Sequence, residues 1–135
     1  MELEWTGMEH PVGGYYADLI GTDRSTGDTV VVENQLELGD HHHLGQLLTY
    51  MAGIDQATGV WVAKSFRSEH IDAVNSLNRH TGAGRQFFAV AVSAQRIGES
   101  CPAPVFQVRA HPEGWEKYLS GKGKRPRGRA APNRP

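Results

Sequence analysis

Asp18 and Glu33 stand on either side of a polar stretch, Asp23 to Asp28, that reads as a tight turn. With the turn centred between Ser25 and Thr26, residues whose numbers sum to 51 face one another. Asp23 then faces Asp28, and Asp18 faces Glu33. Directly opposed like charges destabilise a hairpin. A carboxylate on a half-buried sheet also needs a partner to offset its desolvation. A divalent cation supplies one. Gln35 follows Glu33 by two residues and so shares its strand face. Asp, Glu and Gln converge on one spot, and hard oxygen ligands of this kind suit magnesium, with manganese as the alternative ion.

The elements that must hold these residues are legible on both sides. Trp5 to Ile20 reads as one long strand, or two short ones broken at Pro11-Val12-Gly13-Gly14. The second strand of the hairpin, Thr29 to Leu36, places Val31, Glu33 and Gln35 on one face and Val30 and Val32 on the other. Asp40 is a good N-cap for a helix with an apolar stripe of Leu44, Leu47, Leu48 and Met51 that stops at Gly53. Gln46 and Tyr50 share another face of that helix, with His42 or His43 one turn earlier. Gly59-Val60-Trp61-Val62-Ala63 is a buried strand. A helix capped by Ser65 or Ser68 follows, turning Ile71, Val74 and Leu77 inward and ending near Thr81-Gly82-Ala83-Gly84. Phe87 to Val92 is another near-continuous apolar strand, and Val105 to Arg109 alternates like a more exposed one. The order β-β-β-α-β-α-β-β predicts an α/β fold, a mixed central sheet flanked by helices.

Composition sets the outer limits. A chain of 135 residues is the size of one domain, expected over residues 1–119, with a tail over 120–135. No apolar run approaches the roughly 18 residues that span a bilayer, and Met1-Glu2-Leu3-Glu4-Trp5 lacks the basic start and apolar segment of a signal peptide. A cytoplasmic protein with no membrane partner is expected. Cys101 has no second cysteine to pair with and reads as a small core or loop residue. Six Lys and Arg residues and no acid lie beyond Ser120, leaving 8 basic against 15 acidic residues in the body. The tail, rich in Gly and Pro, is expected to be disordered. It serves either as a solubilising segment or as a phosphate-binding arm.

Asp18, Glu33-x-Gln35 and Gln46-x-x-x-Tyr50 together resemble the PD-(D/E)XK, restriction-endonuclease-like superfamily. The helix pattern is similar to the third motif of its RecB-type branch. Glu33-Asn34-Gln35-Leu36 with Asp40-His41-His42-His43-Leu44-Gly45-Gln46-Leu47-Leu48-Thr49-Tyr50 looks like a group of bacterial nuclease-like proteins, over roughly Gly14 to Trp115. The resemblance implies a restriction-endonuclease-like fold and a metal-dependent nuclease. Asp18 and Glu33 would ligate the metal, the Asn34 carbonyl would add a ligand, and Gln35 would position water. Gln46 and Tyr50 would support the site or the substrate backbone. DNA is the substrate expected by this analogy. The chain departs from the pattern twice. Gln35 stands where Lys is usual, and it brings neither a general base nor a positive charge. Members usually carry a helix before the first strand, whereas this chain opens almost directly in strand, so either a second copy or a partner subunit supplies that element or the protein is a shortened form. The alternative reading is a catalytically inactive nuclease-fold subunit that binds nucleic acid or a partner protein.

The other reactive side chains have plainer readings. Consecutive His41, His42 and His43 point in different directions on a helix and cannot chelate one ion together. His43 or His42 can contact phosphate or act as an acid near neutral pH, against the plainer reading of a polar first turn. His70 is expected at the surface. Lys64 or Arg67 could touch a phosphate, though exposed charge at a helix start is the simpler reading. Glu37 is expected in solvent, and Trp5, Trp61 and Trp115 in core or edge packing.

Overall fold

The computed structural model describes residues 2–12, 15–35, 37–82 and 84–115. The expected basic tail, 120–135, lies outside them. Eight elements follow in the expected order: β1 (Leu3–Val12), β2 (Tyr15–Asp23), β3 (Thr29–Asn34), α1 (His41–Ala52), β4 (Ala57–Ala63), α2 (Ser68–His80), β5 (Arg85–Gln95) and β6 (Ala103–Ala110). The strands form one six-stranded sheet in chain order. β3, β4 and β5 are parallel, joined by the two helices as crossovers, and the antiparallel pairs β1–β2, β2–β3 and β5–β6 complete a mixed sheet.

The hairpin adopts the register expected from the sequence, with Leu19 opposite Val32 and Thr22 opposite Thr29. Asp23 N–H donates to the Asp28 carbonyl at 2.8 Å. The fully buried Asp23 carboxylate is satisfied within the turn, accepting from Ser25 N at 3.0 Å, Ser25 Oγ at 2.6 Å and Glu2 N at 3.1 Å. This side-chain turn fixes the pairing that carries Asp18 toward Glu33.

Helix α1 begins as expected. Asp40 is extended and its Oδ1 accepts from His43 N at 3.0 Å, while Gly53 closes the helix with its N–H on the Met51 carbonyl. Helix α2 does not begin as expected, because Arg67 occupies the N-cap and no side chain caps it. Ser65 is drawn instead into a parallel bridge with Leu38, where its carbonyl accepts from Gly39 N at 2.7 Å, and Ser68 is already helical. Asn78 ties α2 to the sheet by donating to the Phe87 carbonyl and accepting from Phe87 N, both at 2.9 Å.

Both helices pack on one face of the sheet. Leu44, Leu47 and Met51 of α1 and Val74 of α2 share a single cluster with Val31, Trp61, Phe87 and Ala89. Trp61, at 0% exposure, sits edge-on to Phe66 with ring centres 4.8 Å apart. Gly59 lets α1 approach, since a Cβ there would collide with the Met51 sulfur and press on Leu47 at 3.3 Å. No helix among the described residues is long and apolar enough to cross a membrane.

Candidate active site

Glu33 lies near the end of β3 on the helix-covered face, where alternation from Val31 must put it. Only 4% of it is exposed, and its Oε2 is buried without a hydrogen-bond partner among the described residues. Burial raises its pKa from 4.5 to about 7, the Asp18 carboxylate contributes in the same direction, and His43 opposes both. The two carboxylates therefore feel each other, as the hairpin register requires. Asp18 also holds the end of β3, its Oδ2 accepting from Asn34 N at 2.8 Å.

Gln35 shares the face of Glu33 and is 5% exposed, but most of its amide is engaged with the turn into α1. Nε2 donates to the Leu38 carbonyl at 3.0 Å, and Oε1 accepts from Asp40 N at 3.3 Å and Trp61 Nε1 at 3.4 Å. One amide hydrogen is left over. Gln35 thus positions Asp40, and Asp40 positions His43. Beyond capping α1, the Asp40 Oδ1 lies 2.8 Å from His43 Nδ1. The bond to the His43 side chain, then that to its backbone, lowers the Asp40 pKa to about 2 against a smaller desolvation cost. With Asp40 ionised, the hydrogen of this contact sits on His43 Nδ1, which fixes the ring against the start of α1.

The remaining site candidates divide. Gln46, Tyr50, His41 and His42 line a groove of about 380 Å³ along α1, together with Gly45 and Thr49. Tyr50 does so from the core, being 4% exposed. His70, expected at the surface, is half-buried there. Its ring lies 5.6 Å from that of Trp61, Nε2 is 3.3 Å from His41 Nδ1, and Nδ1 is buried without a partner among the described residues. Lys64 and Arg67 are exposed beyond β4, as is Glu37, and Cys101 lies exposed in the β5–β6 connection. The orienting role of Asp40 goes beyond the capping role expected from the sequence. The signal was there, because Asp40-x-x-His43 has the spacing of a capping box, in which the third helical residue reaches back to the cap.

A metal must be judged against these donors. Two carboxylates, one with an unpartnered buried oxygen, and the backbone beside them form an all-oxygen set, which fits magnesium with water completing its shell. Among the described residues no group of three or more His, Cys, Asp or Glu side chains could hold an ion.

No protein-family model matches the chain, and no curated protein matches it in sequence. Among solved structures it is similar to a repair endonuclease from Pyrococcus abyssi, at 22% identity and a TM-score of 0.52 over 64% of this chain and 38% of that one. The chain has a restriction-endonuclease-like fold. It also matches a chain of an EndoMS complex with double-stranded DNA at 26% identity, over 50% of this chain and 30% of that one, with a TM-score of 0.44. The match spans about a third of the length of each neighbour. Within the restriction-endonuclease-like sheet, β2, β3 and the start of α1 bring Asp18, Glu33, Gln35 and His43 to one end of the helix-covered face. Gln46 and Tyr50 lie further along α1.

Proposed function

We propose that this chain is a magnesium-dependent nuclease that hydrolyses phosphodiester bonds, with DNA as its substrate. The observation that carries the reading is Glu33, a carboxylate buried to 4% exposure beside a second carboxylate, with one oxygen left without a partner among the described residues. Such a group costs stability unless something cationic joins it. Asp18 and Glu33 would hold the ion, with the Asn34 carbonyl, whose residue Asp18 already grips through Asn34 N. A bound divalent cation supplies Lewis-acid charge and lowers the pKa of the attacking water.

The chain's own residues supply the rest. Gln35 offers its remaining amide hydrogen to orient water and holds Asp40 in place with its carbonyl. Asp40 fixes the orientation of His43, and the His43 charge is felt at Glu33. The His43 imidazole, when charged, would supply beside Glu33 the positive charge that Gln35, at the usual Lys position, cannot. Gln46 and Tyr50 shape the groove along α1 in which a substrate backbone would lie.

The engagement of Gln35 also favours a second reading, a nuclease fold that binds nucleic acid or a protein partner without cleaving. There the glutamine is structural glue between Leu38, Asp40 and Trp61. Magnesium titration by calorimetry separates the two. A nuclease binds one equivalent, with affinity rising from pH 6 to pH 8 as Glu33 sheds its proton, and Glu33→Gln abolishes the heat. Wild-type protein that shows no heat at any of these pH values excludes the metal site.

A further inference from the structure

The face of the sheet away from both helices is apolar and only partly covered, with Val30 and Phe88 buried on it and the valines between them lining an open trough. Val32, Val60, Val62, Val90 and Val92 alternate onto it and line a trough of about 500 Å³, rimmed on one side by Leu3 and Trp5 and on the other by Phe106. Asn34, at one end, is its one polar lining residue among those described. The rims stand out in solvent, with Trp5 50% and Phe106 63% exposed. Trp5 is held there by Gly21 beneath it, where a Cβ would lie 2.8 Å from the indole. Single exposed apolar residues are ordinary, whereas a contiguous trough with aromatic rims marks a contact surface.

We propose that this face is the interface between two copies of the chain. The segment that follows Trp115 suits the trough poorly. The described chain ends at Trp115, edge-on to Phe88 with ring centres 5.2 Å apart, on this same face. The twenty residues that follow hold Tyr118 and Leu119 as their large apolar side chains and otherwise run mainly through Gly, Pro, Lys and Arg. Their seven cations have no carboxylate to meet in an apolar trough, and burying them unpaired is prohibitive. The same lack of charge rules against a nucleic acid, whose phosphates require cations.

A second copy fits on three counts. The described lining of the trough carries no charge, so two such faces meet without repulsion. Each copy carries both the trough and the aromatic rims that can enter its partner's trough, which is the self-complementarity a two-fold contact needs. The outline of the face, part of which Trp115 already covers, is of the right order. Six strands spaced about 4.8 Å apart and about 8 residues long, at about 3.3 Å per residue, present roughly 760 Å², close to the roughly 800 Å² per partner of a standard interface. Two sheets stacked face to face about 10 Å apart would interdigitate their valines. The Asp18–Glu33 site and the α1 groove, on the opposite face, would remain open in both copies. The proposal holds whether or not the site hydrolyses anything.

Analytical ultracentrifugation of the full chain between 1 and 200 µM tests it, paired with hydroxyl-radical footprinting at both ends of that range. The expected species is a dimer of twice 14.8 kDa that dissociates on dilution and persists in 1 M salt. Trp5 and Phe106 should be protected in the dimer and oxidised in the monomer. Phe106→Glu and Val92→Lys should each raise the dissociation constant at least tenfold, with Glu37→Lys, an exposed residue on the approach to α1, as the control that does not. Footprinting of the wild type needs no variant to fold. A monomer at 200 µM overturns the proposal, and concentration-independent protection of Trp5 would then assign the face to the chain's own C-terminal segment. A dimer whose Trp5 and Phe106 oxidise at the monomer's rate overturns it as well.

Discussion

Glu33 concentrates the physics of this molecule in one side chain. It is buried by the strand alternation that buries Val31, it faces a second carboxylate, and one of its oxygens has no partner among the described residues. Its folded pKa of about 7 lies above the ordinary 4.5. The folded state therefore holds a proton that the unfolded chain releases, and stability declines as pH climbs from about 4.5 to about 7. The loss is on the order of 3–4 kcal/mol, because each tenfold change in proton affinity is worth about 1.4 kcal/mol. Glu33→Gln removes it. Thermal melts of metal-free protein should show the variant above wild type at pH 8 and close to it at pH 5. Equal melting temperatures at pH 8 would mean that Glu33 ionises without cost. Asp18 and Glu33 were legible as a pair because a hairpin register is simple arithmetic on the sequence. The engagement of Gln35 was not legible, because its partners Leu38, Asp40 and Trp61 come from a turn and a strand whose approach depends on tertiary packing. The contact of His70 with Trp61 was hidden for the same reason, since helical periodicity says nothing of a neighbouring strand's indole.

At the scale of elements, the parallel core β3-α1-β4-α2-β5 holds the site, and Trp61 is its keystone. The indole is fully buried, packs on Phe66 and donates to Gln35. Trp61→Ala should destabilise by about 3–5 kcal/mol in urea unfolding, the range for truncating a buried aromatic. Trp61→Phe keeps most of the packing and loses the donor, so it should cost much less stability while loosening the turn that presents Asp40. A Trp61→Ala cost under about 1 kcal/mol would show that the core relaxes around the cavity. Strand and helix existence was readable here because period 2 and period 3.6 differ plainly between Thr29–Gln35 and Leu44–Met51. The start of α2 was not, since Ser65 and Ser68 both carry the chemistry of a cap, and the Leu38–Ser65 bridge draws the chain past both. Sidedness was also hidden. Apolar runs such as Val30–Val32 and Val60–Val62 suit strands buried on both faces, and the sequence does not say that one face is only partly covered.

Across the whole molecule, charge is divided between an acidic body and the basic segment beyond Ser120. Nucleic acid meets a body with 8 basic against 15 acidic residues, so the six Lys and Arg of residues 120–135 should carry most of the electrostatic attraction. Deleting 120–135 should weaken duplex binding at 50 mM salt and flatten the log-affinity against log-salt slope by up to about 5, or about 0.9 per lost phosphate contact. An unchanged slope would place the binding surface on the folded body. The central claim is tested most directly by cleavage of labelled single- and double-stranded DNA and RNA with magnesium or manganese, comparing wild type, Glu33→Ala and an EDTA control. Metal-dependent cleavage of DNA that disappears with Glu33→Ala and with EDTA is the expected result. Intact substrates throughout, from folded protein that still binds them, would contradict hydrolysis and leave a fold whose work is recruitment.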